Sequence, residues 1–171
     1  MPGAVRRCWA LALLCLVPMG LHAEMPAPQP ARGKTILSVT GNLSKASGPE
    51  GMALSEAAID ALPVHTITTS TPWFKTVTTF SGPLLSDLLE SVGAKGSLLT
   101  LRALNDYRVQ VPVSDAYAFQ PILARKINHK PISVRDKGPL FLIYPFDANP
   151  ALNTDIYFAR SIWQIKSMVV E

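Results

Sequence analysis

The chain has 171 residues, a formal charge of +4 and 48% hydrophobic side chains. That length predicts one domain and leaves no room for two full ones. The mild mixed charge excludes an obligate nucleic-acid binder, and the apolar fraction excludes wholesale disorder.

The first elements are not part of the fold. Arg6 and Arg7 precede an apolar run from Cys8 to Leu21, which stops at the small residue Ala23. This is the layout of a secretory signal peptide over residues 1–23, too short for an ordinary membrane span. The Arg6-Arg7 pair has no Ser or Thr before it and no Phe-Leu after it, which favours the general export route over the twin-arginine one. Cleavage after Ala23 would leave 148 residues at about +2 and remove both Cys8 and Cys15. The exported form would then hold no thiol, so disulfides, thiolate nucleophiles and cysteine-ligated metals are excluded there. The expected location is periplasmic or secreted, with no membrane span after cleavage. Residues 24–33 are Pro-rich and read as an extended tether, and residues 34–171 as a single domain.

Ten prolines from Pro49 to Pro150 punctuate that domain and force it into short pieces. Thr35–Thr40 predicts a strand, and Ser55 a cap for a short helix ending before Pro63. Val64–Thr69 and Thr76–Phe80 predict strands. Pro83 opens the clearest helix: Leu84, Leu85, Leu88, Leu89 and Val92 share a face, Asp87 and Glu90 look outward, and Gly93 stops it. Leu98–Leu104 and Tyr107–Val111 predict a hairpin turning at Asn105-Asp106. Ser114 or Asp115 would cap one helical turn. Ile122–Ile127 and Ile132–Val134 predict a second hairpin around Asn128-His129-Lys130. Leu140–Tyr144 predicts a buried strand. Ile162–Val170 predicts a closing strand with Trp163, Ile165 and Val169 on one side. The expected class is α+β, with mixed sheets and short helices.

Catalytic motifs are scarce. There is no Gly-rich phosphate loop, no GxSxG and no HExxH. No metal site is predicted from His65 and His129, which read as a structural and a solvated histidine. Three stretches are unusual: Thr66–Trp73, crowded with hydroxyls; Leu101–Tyr107; and Ser133–Pro139, with Arg135-Asp136-Lys137 before an apolar strand. The basic groups suit an anionic ligand, and equally a solvated turn with a local ion pair.

The run Thr69-Ser70-Thr71-Pro72-Trp73, then Phe80–Leu85, Arg102–Asp106, Arg135–Pro145 and Arg160–Ile165, resembles in order the molybdopterin-binding oxidoreductase domain of the sulfite oxidase family. It is most similar to short exported bacterial proteins consisting of that domain. The resemblance implies a sulfite-oxidase-like α+β fold carrying molybdopterin, with oxygen-atom transfer on a small oxyanion or sulfoxide. It also implies a redox or partner protein in the periplasm. Trp73, Arg102, Asn105, Tyr107, Arg135 and Lys137 are then candidates to bind the cofactor. Family members hold molybdenum with a cysteine thiolate, whose position falls at Thr69 or Ser70. Neither is cysteine, and a neutral hydroxyl is a poor substitute for a soft thiolate. Two readings follow: a molybdopterin-dependent oxidoreductase, or a metal-free module that kept the fold and binds a small anion or a partner protein.

Overall fold

The computed structural model describes residues 33–46, 48 and 50–171. The segment expected to be a signal peptide, both cysteines and the expected tether up to residue 32 lie outside the described residues. Within them, no helix is long and apolar enough to cross a membrane.

The elements follow chain order. β1 (Thr35–Gly41) and β2 (Met52–Ser55) lead into α1 (Glu56–Asp60). Ser55 caps α1 as expected, its hydroxyl accepting from Ala58 N at 3.2 Å. β3 (His65–Thr71) and β4 (Phe74–Gly82) form a hairpin, followed by α2 (Leu85–Val92). Gly93 ends α2 with φ 67°, the left-handed geometry that glycine adopts without a Cβ penalty. Next come β5 (Leu98–Ala103), β6 (Arg108–Pro112), α3 (Val113–Ala118), β7 (Ile122–Ala124), β8 (Lys126–Ile127), β9 (Lys130–Pro131) and β10 (Phe141–Ile143). A short 3-10 turn at Pro150–Leu152 precedes α4 (Asp155–Arg160) and β11 (Ile165–Val170). The mixed α+β class with short helices holds.

Three sheets result. Five strands lie in the order β2-β1-β11-β5-β6, four in the order β3-β4-β8-β9, and β10 pairs with β7. The β1–β11 pairing is parallel, with Ser38 opposite Ser167. The five-stranded sheet turns Leu37, Val39, Leu99, Leu101 and Met168 into a large core that α2 completes. A second, smaller core gathers Phe80, Ile122, Phe141 and Ile143 beside the four-stranded sheet. Trp73 packs against both clusters.

Three expectations are corrected. Ile132–Val134 is not a strand: the hairpin turns at Asn128 and His129 (φ 47° and 67°), and the chain then makes a turn at Ser133. The closing strand begins only at Ile165, because Gln164 has φ 53° and donates its backbone N–H to Lys137 O. An irregularity between Ile165 and Ser167 then shifts the pleat, so Ile165, Met168 and Val170 are buried rather than Val169. Neither Ser114 nor Asp115 caps α3; Pro112 occupies that position, and Asp115 lies buried inside the helix.

Candidate binding site

A cavity of about 380 Å³ opens where the two cores meet. Trp73, Tyr107, Phe158 and Trp163 form much of its wall, with Asn105 and Ser161 as polar groups. Its size and apolar, aromatic lining are those of a small-molecule cleft. Trp73 is held edge-on against Phe141, Phe158 and Trp163, with ring centroids 5.6, 6.1 and 5.8 Å away. Such contacts fix the ring plane of Trp73 from three directions.

The β5–β6 turn supplies Asn105 and Tyr107. Tyr107 is half exposed at the mouth, and its backbone N–H donates to Asn105 Oδ1 at 3.2 Å. Asn105 therefore keeps its amide NH2 for a ligand. The turn is fastened from outside by Asp106, which takes φ 67°. Its carboxylate meets Lys166 Nζ at 2.6 Å and an Arg102 guanidinium nitrogen at 2.9 Å. The Lys166 hydrogen bond, with Arg102 behind it, holds the Asp106 carboxyl below its ordinary value of 3.8. This clamp is complete above that value and is lost as pH falls through the lower folded value. We expect the amide NMR signals of Asn105 and Tyr107 to move on that acid titration, and Asp106→Asn to produce the same shift at neutral pH. Signals indifferent to both would show that the turn holds without the clamp.

α4 and the residues after it form another part of the wall. α4 contains no fully buried residue. Its last residue, Arg160, pairs with Asp115 Oδ2 at 2.9 Å, and the same oxygen accepts from the Tyr144 hydroxyl at 2.8 Å. Burial pushes the Tyr144 phenol far above its usual range, with the neighbouring Asp115 charge adding to the effect.

The structure brings together three of the six candidate cofactor residues, Trp73, Asn105 and Tyr107. The three cations do not converge with them. Arg102 lies in β5 one residue before Ala103, which lines the cavity; alternation turns Arg102 to the opposite face, where it serves the Asp106 clamp. Arg135 is exposed on the turn after Ser133. There the Ser133 hydroxyl donates to Asp136 at 2.7 Å, so the charged triplet forms a largely solvated turn. Lys137 sits beside the cleft rather than in its wall, its Nζ 3.9 Å from the Trp163 ring centroid and 5.9 Å from those of Phe74 and Phe141. Partial burial lowers its pKa from the usual lysine value. Trp163, Phe158 and Ser161 were not foreseen as lining residues. Trp163 fits the alternation expected of the closing strand, so the sequence carried no signal for its place in the wall; the break at Gln164 appears only in the structure.

Thr69 and Ser70, where the resemblance would place a metal ligand, are engaged in hydrogen bonds within the chain. Thr69 is fully buried. Its Oγ1 accepts from Asp147 N at 3.0 Å and donates to Ser70 O at 3.3 Å. Ser70 gives both its backbone N–H and its hydroxyl to Asp147 Oδ2, at 2.8 and 3.1 Å. Both hydroxyls are thus spent on joining β3 to the loop after Pro145. These residues do not fit molybdenum.

The fold is shared with a known enzyme. The crystal structure of the sulfane dehydrogenase SoxCD from Paracoccus pantotrophus matches with a TM-score of 0.60 at 14% identity. The match covers 84% of this chain and 40% of that one, so the present chain spans well under half of its neighbour. At this identity the likeness carries the fold alone. No protein-family model matches the sequence. No curated protein matches it either.

Proposed function

We propose that this protein is a metal-free binding module on a sulfite-oxidase-like fold, exported from the cytoplasm. Its aromatic cleft takes a small planar ligand bearing an anionic group, of the pterin type. The observation that carries this reading is the pair Thr69 and Ser70: where the resemblance places the family's thiolate stand two hydroxyls, one buried and one exposed, both hydrogen-bonded to Asp147. The cleft itself supports a flat ligand, since Trp73, Trp163, Phe158 and Tyr107 offer aromatic surface and Asn105 an amide donor. Lys137 adds one positive charge beside Trp163, and no acidic partner for it occurs among the described residues.

The family resemblance favours a second reading, a molybdopterin-dependent oxidoreductase working with a partner chain, and the fold neighbour is a dehydrogenase. One experiment separates the two. The full chain is produced with its export signal in a host that makes molybdopterin, and the purified protein is assayed for molybdenum and for pterin. We expect no stoichiometric molybdenum. We also expect pterin-6-carboxylate to quench the tryptophan fluorescence saturably, with Tyr107→Ala weakening binding about tenfold, or 1.4 kcal/mol. One molybdenum per chain would overturn the metal-free reading. Unsaturable quenching would overturn the ligand class.

A further inference from the structure

We infer that Gln164 is the positioning residue of the cleft: it fixes Lys137 beside Trp163, and through Lys137 it sets a preference for an anionic over a neutral flat ligand. This rests on the cleft being the ligand site proposed above.

Gln164 is tied to three segments at once. Its backbone N–H donates to Lys137 O at 3.1 Å, and its carbonyl accepts from Leu104 N at 2.9 Å. Its side-chain Nε2 donates to Val134 O at 2.6 Å. One residue thus joins the turn that carries Lys137 to the end of β5, where the turn with Asn105 and Tyr107 begins.

The backbone of Gln164 is bent to this task. Its φ of 53° is left-handed, a region that a residue with a long side chain seldom enters and holds only where its surroundings over-determine it. In a continuous strand Trp163 and Ile165, two apart, would share a face. The reversal at Gln164 parts them. Ile165 enters the large core, while Trp163 packs on the smaller one and lines the cavity.

The turn carrying Lys137 depends on such outside ties. Asp136, Lys137 and Gly138 all donate their backbone N–H to Ser133 O, at 3.1, 3.2 and 2.8 Å. Those bonds fix the shape of the turn but not its direction. Arg125 holds its base through Pro139 O at 3.0 Å. The two Gln164 bonds hold Val134 and Lys137 themselves, and Lys137 Nζ comes to stand 3.9 Å from the Trp163 ring centroid. A cation on a ring that lines the cavity attracts the anionic group of a ligand packed along that ring, and does little for a neutral one.

The test uses the full chain and two variants that lack the side-chain donor and treat the backbone oppositely. Glycine takes a positive φ without strain, so Gln164→Gly keeps the course of the chain, whereas Gln164→Met keeps the length and the strain of the parent residue. Lys137 supplies a readout that needs no ligand. Its Nζ lies over the indole, so the ring current displaces the adjacent ε-methylene NMR signals upfield, and Lys137→Met shows which signals these are. We expect both Gln164 variants to lose the upfield displacement. Pterin-6-carboxylate and unsubstituted pterin, which differ by one anionic group, are then titrated by tryptophan quenching. We expect the parent to bind the carboxylate about fivefold more tightly than the neutral ring, and both variants to bind the two alike through a loss for the carboxylate only. Upfield signals retained in either variant overturn the inference, because the side-chain bond is then not what holds Lys137. A charge preference that survives the loss of those signals also overturns it. If neither pterin binds the parent, the ligand reading fails, and the NMR signals alone decide whether Gln164 places Lys137. If both pterins bind and the variants keep the parent's preference, positioning by Gln164 fails alone.

Discussion

Asp115→Ala is expected to cost about 3–5 kcal/mol of folding stability, because it removes one partner of a buried ion pair. Asp115 is 5% exposed, and one of its oxygens serves both Tyr144 and Arg160. Without it, the hydroxyl of the fully buried Tyr144 loses its acceptor and the Arg160 guanidinium stays largely covered without a counter-charge. The effect should also reach the cleft. α4 has no fully buried residue of its own, and Phe158 and Ser161 lie beside Arg160 in the cavity wall. We therefore expect ligand affinity to fall together with stability. Asp115→Asn keeps an acceptor for Tyr144 but no charge for Arg160, and should fall between the alanine variant and the parent. Urea denaturation of the three proteins checks the order. A loss below about 1 kcal/mol for Asp115→Ala would place the pair among those with no net worth.

How far the residues announce this arrangement depends on whether a local rule was in force. Pro83, the leucine face and Gly93 each obey a helix rule, and α2 lies where they put it. The Asn105-Asp106 turn obeys a hairpin rule, and Asp106 takes the positive φ that the turn needs. Trp73, Asn105 and Tyr107, which the resemblance singled out, line one cavity. α4 was not legible, since a six-residue helix with no buried face leaves no periodicity. The role of Asp115 was hidden for another reason. Its partners Tyr144 and Arg160 are 29 and 45 residues away, and only the fold joins them. Arg102 shows the same limit in reverse: its charge suggested a ligand, but strand alternation gave it to Asp106.

Leu88→Ala separates the scaffold from the site. Leu88 is fully buried in the middle of α2, with Leu85, Leu89 and Val92 beside it in the large core. Truncation loses the transfer energy of the removed atoms and leaves a cavity that the surrounding sheet cannot fill without moving, a cost of about 2–4 kcal/mol. α2 contributes no residue to the aromatic cleft. The walls of that cleft are set by the Trp73 ring contacts, the Asp106 clamp and the Arg160–Asp115 pair, none of which Leu88 forms part of. So Leu88→Ala should lower the denaturation midpoint as much as Asp115→Asn, yet leave pterin-6-carboxylate affinity at the parent value in the absence of denaturant. If affinity falls in proportion to stability in both variants, the cleft and the large core form one cooperative unit, and the assignment of α4 as a separately anchored wall is wrong. If it falls only for the Asp115 variants, the wall is held by its ion pair, and the fold can lose packing without losing the site.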